Sequence, residues 1–166
     1  MSDSISISRA EAKASPFHPL VRPCDLGGLD ALCSDTLALF CFRDVRPIKG
    51  VAGYIDWRIF GALSRTLQHG LFLGDLHETL LLPVGGRLGP RRLFVFGLGP
   101  ALRCSEPAQA QAIERAAIVM RQAGAISFSL AAACTDDEGS AENDFVRAAL
   151  SLQVPELVEI LVERRA

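Results

Sequence analysis

Residues 91–99 read RRLFVFGLG. An apolar run that leaves a strand through Gly-x-Gly is raw material for a phosphate cradle, because glycines let backbone N–H groups approach an anion at a helix start. The dinucleotide form of that chemistry needs a third glycine at position 102 and a helix that opens directly at the turn. Position 102 is Leu102, Pro100 removes one donor, and the next helix cap is Ser105. About twenty residues further on, where an acid would take a ribose hydroxyl, stand Val119 and Met120. The architectural reading is therefore preferred: a buried strand that needs small residues where the chain turns.

Metal and nucleophile chemistry is equally incomplete. His77-Glu78 begins the zinc motif His-Glu-x-x-His, but Leu81 stands where the second histidine belongs. Asp75, His77 and Glu78 are candidates for an ion or, more simply, a solvated loop. Asp136-Asp137-Glu138 follows a strand at its carboxyl end. Three adjacent acids there suit a hard cation, or a loop whose charge favours the start of the next helix. His18 and His69 have no partner spacing, and no Gly-x-Ser-x-Gly elbow occurs. The five cysteines (Cys24, Cys33, Cys41, Cys104, Cys134) are odd in number and never spaced Cys-x-x-Cys. That usage fits reduced thiols in a cytoplasm rather than a disulfide framework or a zinc site. The expectation is a chain without catalytic residues, metal ligands or cofactor.

The elements that would position these residues follow from patterning. The chain of 166 residues is 49% hydrophobic and 22% charged, the composition of a globular domain. Its net charge of −2 gives no footprint for nucleic acid or an anionic membrane, and no apolar stretch reaches the ~18 residues of a membrane span. Residues 1–16 read as a polar tail and 17–166 as one domain. Leu20-Val21 predicts a short strand stopped by Pro23, and TLALFCF (36–42) a buried central one. Ile55, Ile59, Leu63 and Leu67 recur at helical spacing and predict one helix from Val51 to Gly70. TLLLPV (79–84) and RLFVFG (92–97) flank a Gly- and Pro-rich turn and predict a hairpin. Ser105 caps a helix that stops at Gly124, ISFSLAA (126–132) is a strand, and Ser140 caps a third helix. LVEILVER (157–164) predicts a closing strand, its Glu159 and Glu163 alternating with apolar residues as on a partly exposed edge. Recurring strand–helix–strand units make the class α/β, three layers with a mixed, mostly parallel central sheet.

The stretch LALFCFRDVRPIKGVAGYIDWRIFGALSRTL resembles the N-terminal domain of the leucyl aminopeptidases, metallopeptidase family M17, as does GLFLGDLHETLLLP followed by RLFVFGLG. The resemblance runs from about Leu20 to Glu163 and rests on the order and spacing of individually loose motifs. It implies an accessory domain: in that family the two-metal peptidase site lies in a separate C-terminal domain, so no catalytic residue carries over. The family's N-terminal domain sits on the outside of a hexamer, contributes to assembly, and in some members binds DNA. The expected role here is self-association, or docking to an M17 catalytic subunit encoded separately.

That domain is similar in fold to macro domains, which bind ADP-ribose, and this likeness implies an alternative. KGVAGYI (49–55) resembles the glycine loop that meets a diphosphate, which would make Gly50, Val51, Ala52 and Gly53 ligand-binding residues. Asp25 stands where macro domains keep an acid for the adenine amino group. The loop matching the second phosphate-binding stretch reads CTDDEG, whose carboxylates repel a diphosphate. The asparagine that follows the second strand in the hydrolases is replaced by Phe42-Arg43-Asp44. Gly50 and Gly53 equally serve close packing of a helix start, Asp25 a strand end, and Trp57 a core or an interface.

Overall fold

TLALFC is apolar at almost every position, and a strand of that kind must be covered on both faces. In the computed structural model, which describes residues 18–133 and 140–163, it forms β2 (Thr36–Cys41), buried throughout. Its neighbours β4 (Arg92–Gly97) and β5 (Phe128–Ala131) both run parallel to it. β5 pairs in parallel with β6 (Leu157–Glu163), and β6 with β1 (Leu20–Cys24). β3 (Thr79–Pro83) is antiparallel to β4 and completes the expected hairpin. The order β1-β6-β5-β2-β4-β3 makes a six-stranded, mixed and mostly parallel sheet.

Alternation along β2 divides the core. Leu37, Leu39 and Cys41 face α1 (Leu26–Asp30), α2 (Gly50–Arg58) and α3 (Ala62–Gln68), meeting Leu29, Val51, Ile55 and Leu63. Ala38 and Phe40 face α4 (Glu106–Gln122) and α5 (Ser140–Ser151), meeting Ile113, Met120 and Phe145. Phe40 anchors this second layer, 5.5 Å from the Phe96 ring and 4.9 Å from that of Phe145. The result is three layers, α/β/α. At the amino ends of the central strands, Asp35 ties β2 to β4 and β5. Its carboxylate accepts from Arg92 at 2.7 Å and from the N–H groups of Ser127 and Ile126. Burial pushes the Asp35 carboxyl up, but these bonds, with one to Thr36, outweigh it and hold the group below the usual aspartate range.

The Gly97-Leu98-Gly99 turn proves architectural. Its three N–H groups donate to the carbonyls of Glu78, Cys41 and Gly74, each at 2.9 Å, leaving none for an anion. A Cβ on Gly97 would lie 2.0 Å from the Asp75 carbonyl oxygen, so only glycine lets this strand pass the 74–75 backbone. The neighbouring loop is also closed on itself. Glu78 accepts from the N–H groups of Leu73, Gly74 and Asp75, and Asp75 pairs with Arg43 at 2.8 Å. No group of metal-ligating residues occurs among the described residues. Asp136-Asp137-Glu138 and Cys134 lie outside them.

Four elements differ from expectation. The helix predicted from Val51 to Gly70 is two helices. Asp56 is the cause: one carboxylate oxygen accepts from Leu63 N–H (2.9 Å) and Ser64 N–H (3.1 Å), the other from the Ser64 hydroxyl (2.6 Å). These are the bonds an N-cap side chain makes, delivered from the preceding helix because the cap position itself is Gly61. The end of α2 is closed by Gly61 N–H on the Asp56 carbonyl and Phe60 N–H on that of Trp57, a Schellman arrangement. Phe60 takes φ 56° and Gly61 φ 70°. Second, β6 is interior, not an edge; Glu159 is buried because it pairs with Arg22 of the true edge strand β1 at 3.1 Å. Third, β1 continues through Pro23 rather than stopping there, which an edge tolerates. Fourth, the five-residue α1 went unread in a glycine-rich stretch.

Replacing Asp56 with alanine should cost about 2 kcal/mol in urea unfolding, and Asp56→Asn, which keeps an acceptor for both N–H groups, markedly less. Gly97→Ala should cost at least about 3 kcal/mol or prevent folding; an unchanged midpoint would show that the 74–75 backbone can move aside.

Candidate functional site

α2 is apolar on two sides. Val51, Ala52 and Ile55 go into the core, while Tyr54 (41% exposed) and Trp57 (64%) stand on the outer side, followed by Phe60 (66%). Three large aromatic residues within seven positions are too many for one buried face, so one set must meet solvent. The split at residues 59–61 adds to this by holding Phe60 outward in the left-handed region.

Two hollows flank this ridge and share Gly53 and Trp57. One, of about 460 Å³, is lined by Leu26, Gly50, Gly53, Tyr54, Trp57 and Glu163. The other, of about 620 Å³, runs past Pro47 and Ile48 to Arg58, Phe60 and Arg87. Together they form a groove with Trp57 at its middle. At one end Arg87 lies over the Phe60 ring, 4.3 Å from its centroid, a cation–π contact. Arg87 has no carboxylate partner among the described residues, whereas Arg58 is paired with Asp30. At the other end stands the exposed Glu163, whose N–H donates to the buried Glu142 carboxylate.

The structure brings only part of the predicted ligand loop to this groove. Gly50 and Gly53 line it, and the first turn of α2 has no side-chain cap. The Val51 and Ala52 side chains turn inward and are buried. Asp25 is the N-cap of α1, its carboxylate accepting Gly28 N–H at 2.7 Å, and Leu26 rather than Asp25 lines the hollow. Glu163 near the uncapped turn opposes an incoming diphosphate. The surroundings are aromatic and aliphatic, with opposite charges at the two ends. Chemically this is a surface for burying apolar area; the Ser64 hydroxyl, which lines the hollow beside Arg87, donates at 2.6 Å to the Asp56 carboxylate that caps α3. Sequence reading singled out Trp57 but missed Tyr54, Phe60, Arg87 and Glu163. The available signal was a helix with large apolar residues on both sides.

Comparison with known proteins returns structures but no sequence family: no family model and no curated protein matches. A variant of tomato leucine aminopeptidase superposes with TM-score 0.63 at 16% identity, over 93% of this chain and 34% of that one. The chain thus spans about a third of that enzyme's length. The macrodomain of Thermus aquaticus DarG gives 0.56 at 13% identity, over 89% and 99% of the two chains. The Oceanobacillus iheyensis macrodomain, solved with ADP, gives 0.60 at 13%, over 87% and 83%. Identities this low speak for architecture alone, and on that ground the fold of this chain is macrodomain-like.

Proposed function

We propose that this chain is a non-catalytic assembly module, related to the aminopeptidase N-terminal domain, that contacts other protein chains through the outer side of α2. The observation that carries the reading is Phe60. A left-handed conformation costs a non-glycine residue about 1–2 kcal/mol, and Phe60 accepts it at a position where glycine is the ordinary choice, the residue being 66% exposed. Neither the backbone nor the core gains from phenylalanine there. A protein surface that buries the ring would. Tyr54, Trp57 and Leu26 extend the same apolar surface, and aromatic residues beside arginine are the usual anchors of interfaces.

The two demands on Phe60 can be separated. Phe60→Gly should raise folding stability by about 1 kcal/mol, while weakening association measured by sedimentation. Trp57→Ala should weaken association with stability nearly unchanged. If both variants associate as the parent does, with copies of this chain and with leucyl aminopeptidase catalytic subunits alike, the reading is wrong.

A second reading has its own support: a macrodomain of the same fold was solved with ADP, and the uncapped first turn of α2 opens on a hollow with a tryptophan for stacking. A ligand at a hundred times its Kd would stabilise the fold by about 2.7 kcal/mol. With Glu163 beside the diphosphate path, the expected result is no change in Tm on adding ADP-ribose; a clear rise would favour the receptor.

A further inference from the structure

We infer that the occupant of the α2 groove is a second copy of this chain, related by a two-fold axis that passes near Trp57. The inference rests on the assembly reading and specifies its partner and geometry. On one side of the shared Gly53 and Trp57 lie Leu26, Tyr54 and Glu163, and on the other Phe60 and Arg87. Each half therefore joins large apolar side chains to one exposed charge without an ionic partner among the described residues, and the two charges are opposite. A two-fold axis superposes the groove on its own reverse. The acidic end of one copy then meets the basic end of the other, twice, while the two Trp57 rings cover each other at the centre.

The charges are suited to this. Arg87 is exposed, lies over the Phe60 ring, and makes no ion pair among the described residues. The Glu163 side chain is exposed and makes no ion pair among the described residues. The other cation of the groove, Arg58, is already neutralised by Asp30. Two opposite charges without ionic partners among the described residues, one in each of the hollows that share Trp57, are self-complementary under a two-fold axis. A surface evolved for a different protein has no need of that relation. In the two-fold arrangement Phe60 of one copy also falls against Tyr54 and Leu26 of the other, which gives the exposed ring its cover.

The test uses the intact chain and a charge exchange. Trp57 is the only tryptophan, so its fluorescence reports the centre of the groove without labelling. With rising protein concentration its emission should shift to the blue and its quenching by acrylamide should fall, in step with dimer formation seen by sedimentation. Arg87→Glu and Glu163→Arg should each weaken the dimer by about tenfold or more, since each sets like charges opposite one another. The double variant R87E/E163R should recover to within about threefold of the parent, because the exchange restores both pairs. Both positions are exposed, so the variants should fold, and circular dichroism confirms this. A parent chain that stays monomeric with a fully quenchable Trp57 overturns the two-fold proposal, and titration with a leucyl aminopeptidase catalytic subunit then decides the assembly reading separately. A dimer broken by Trp57→Ala but not recovered in the double variant overturns the two-fold register while leaving the assembly reading in place.

Discussion

The Asp56 carboxylate decides what this molecule shows to its surroundings. It sits near the end of α2, is 7% exposed, and satisfies the first N–H groups of α3. With those donors taken, α3 starts where it does and α2 cannot continue into it. The chain must reverse over residues 59–61, and the reversal directs Phe60 away from the core beside Trp57. Had the helix run on unbroken, Phe60 would have stood about 60° round the cylinder from Trp57 and about 120° from Tyr54; the reversal instead sets it in the left-handed turn beside Arg87. One buried hydrogen-bonding group therefore couples local helix chemistry to the surface on which the functional reading depends.

A second constraint explains why that surface, rather than a strand-end pocket, is the place to look. Ligands of open α/β sheets generally meet the carboxyl ends of the strands, where loops leave donors free. Here β4 leaves the sheet through Gly97-Leu98-Gly99 with all three N–H groups spent on neighbouring carbonyls. The adjoining N–H groups of residues 73–75 are spent on Glu78. Backbone that could cradle an anion is used to hold two loops together. Among the described residues the uncapped first turn of α2 is an exception, and Glu163 stands beside the hollow on which it opens.

The sheet was largely legible because its strands are continuous apolar runs bounded by glycine and proline, and because the turn between β3 and β4 is rich in both. Ser105 was legible as a cap for a local reason: a hydroxyl, an acid and a proline in sequence can do little else. What went unread is non-local. Glu159 looked like an edge residue because a charge alternating with valine and isoleucine ordinarily means solvent. It is buried only because Arg22, more than a hundred positions away, lies across from it. Asp56 looked like the polar side of a helix, since periodicity cannot tell a solvated carboxylate from one capping the next helix. The groove was half visible: Trp57 stood out by type, but Arg87 and Glu163 reach it from a loop and from the last strand.

The two kinds of miss have one physical origin. A charged residue is read as exposed unless its partner is known, and in this fold the partners come from remote segments. Arg22 neutralises Glu159, Asp35 gathers Arg92 and the start of β5, and Asp30 holds Arg58. Charges with such partners can be buried or fixed within the fold. Arg87 and Glu163 are the contrasting case, exposed at the ends of an aromatic ridge and lacking ionic partners among the described residues. On the assembly reading, these two exposed and opposite charges on either side of an exposed tryptophan are matched by another protein surface. Phe60 points the same way from the backbone side, since its strained conformation sets the side chain outward, against Arg87 and otherwise largely exposed.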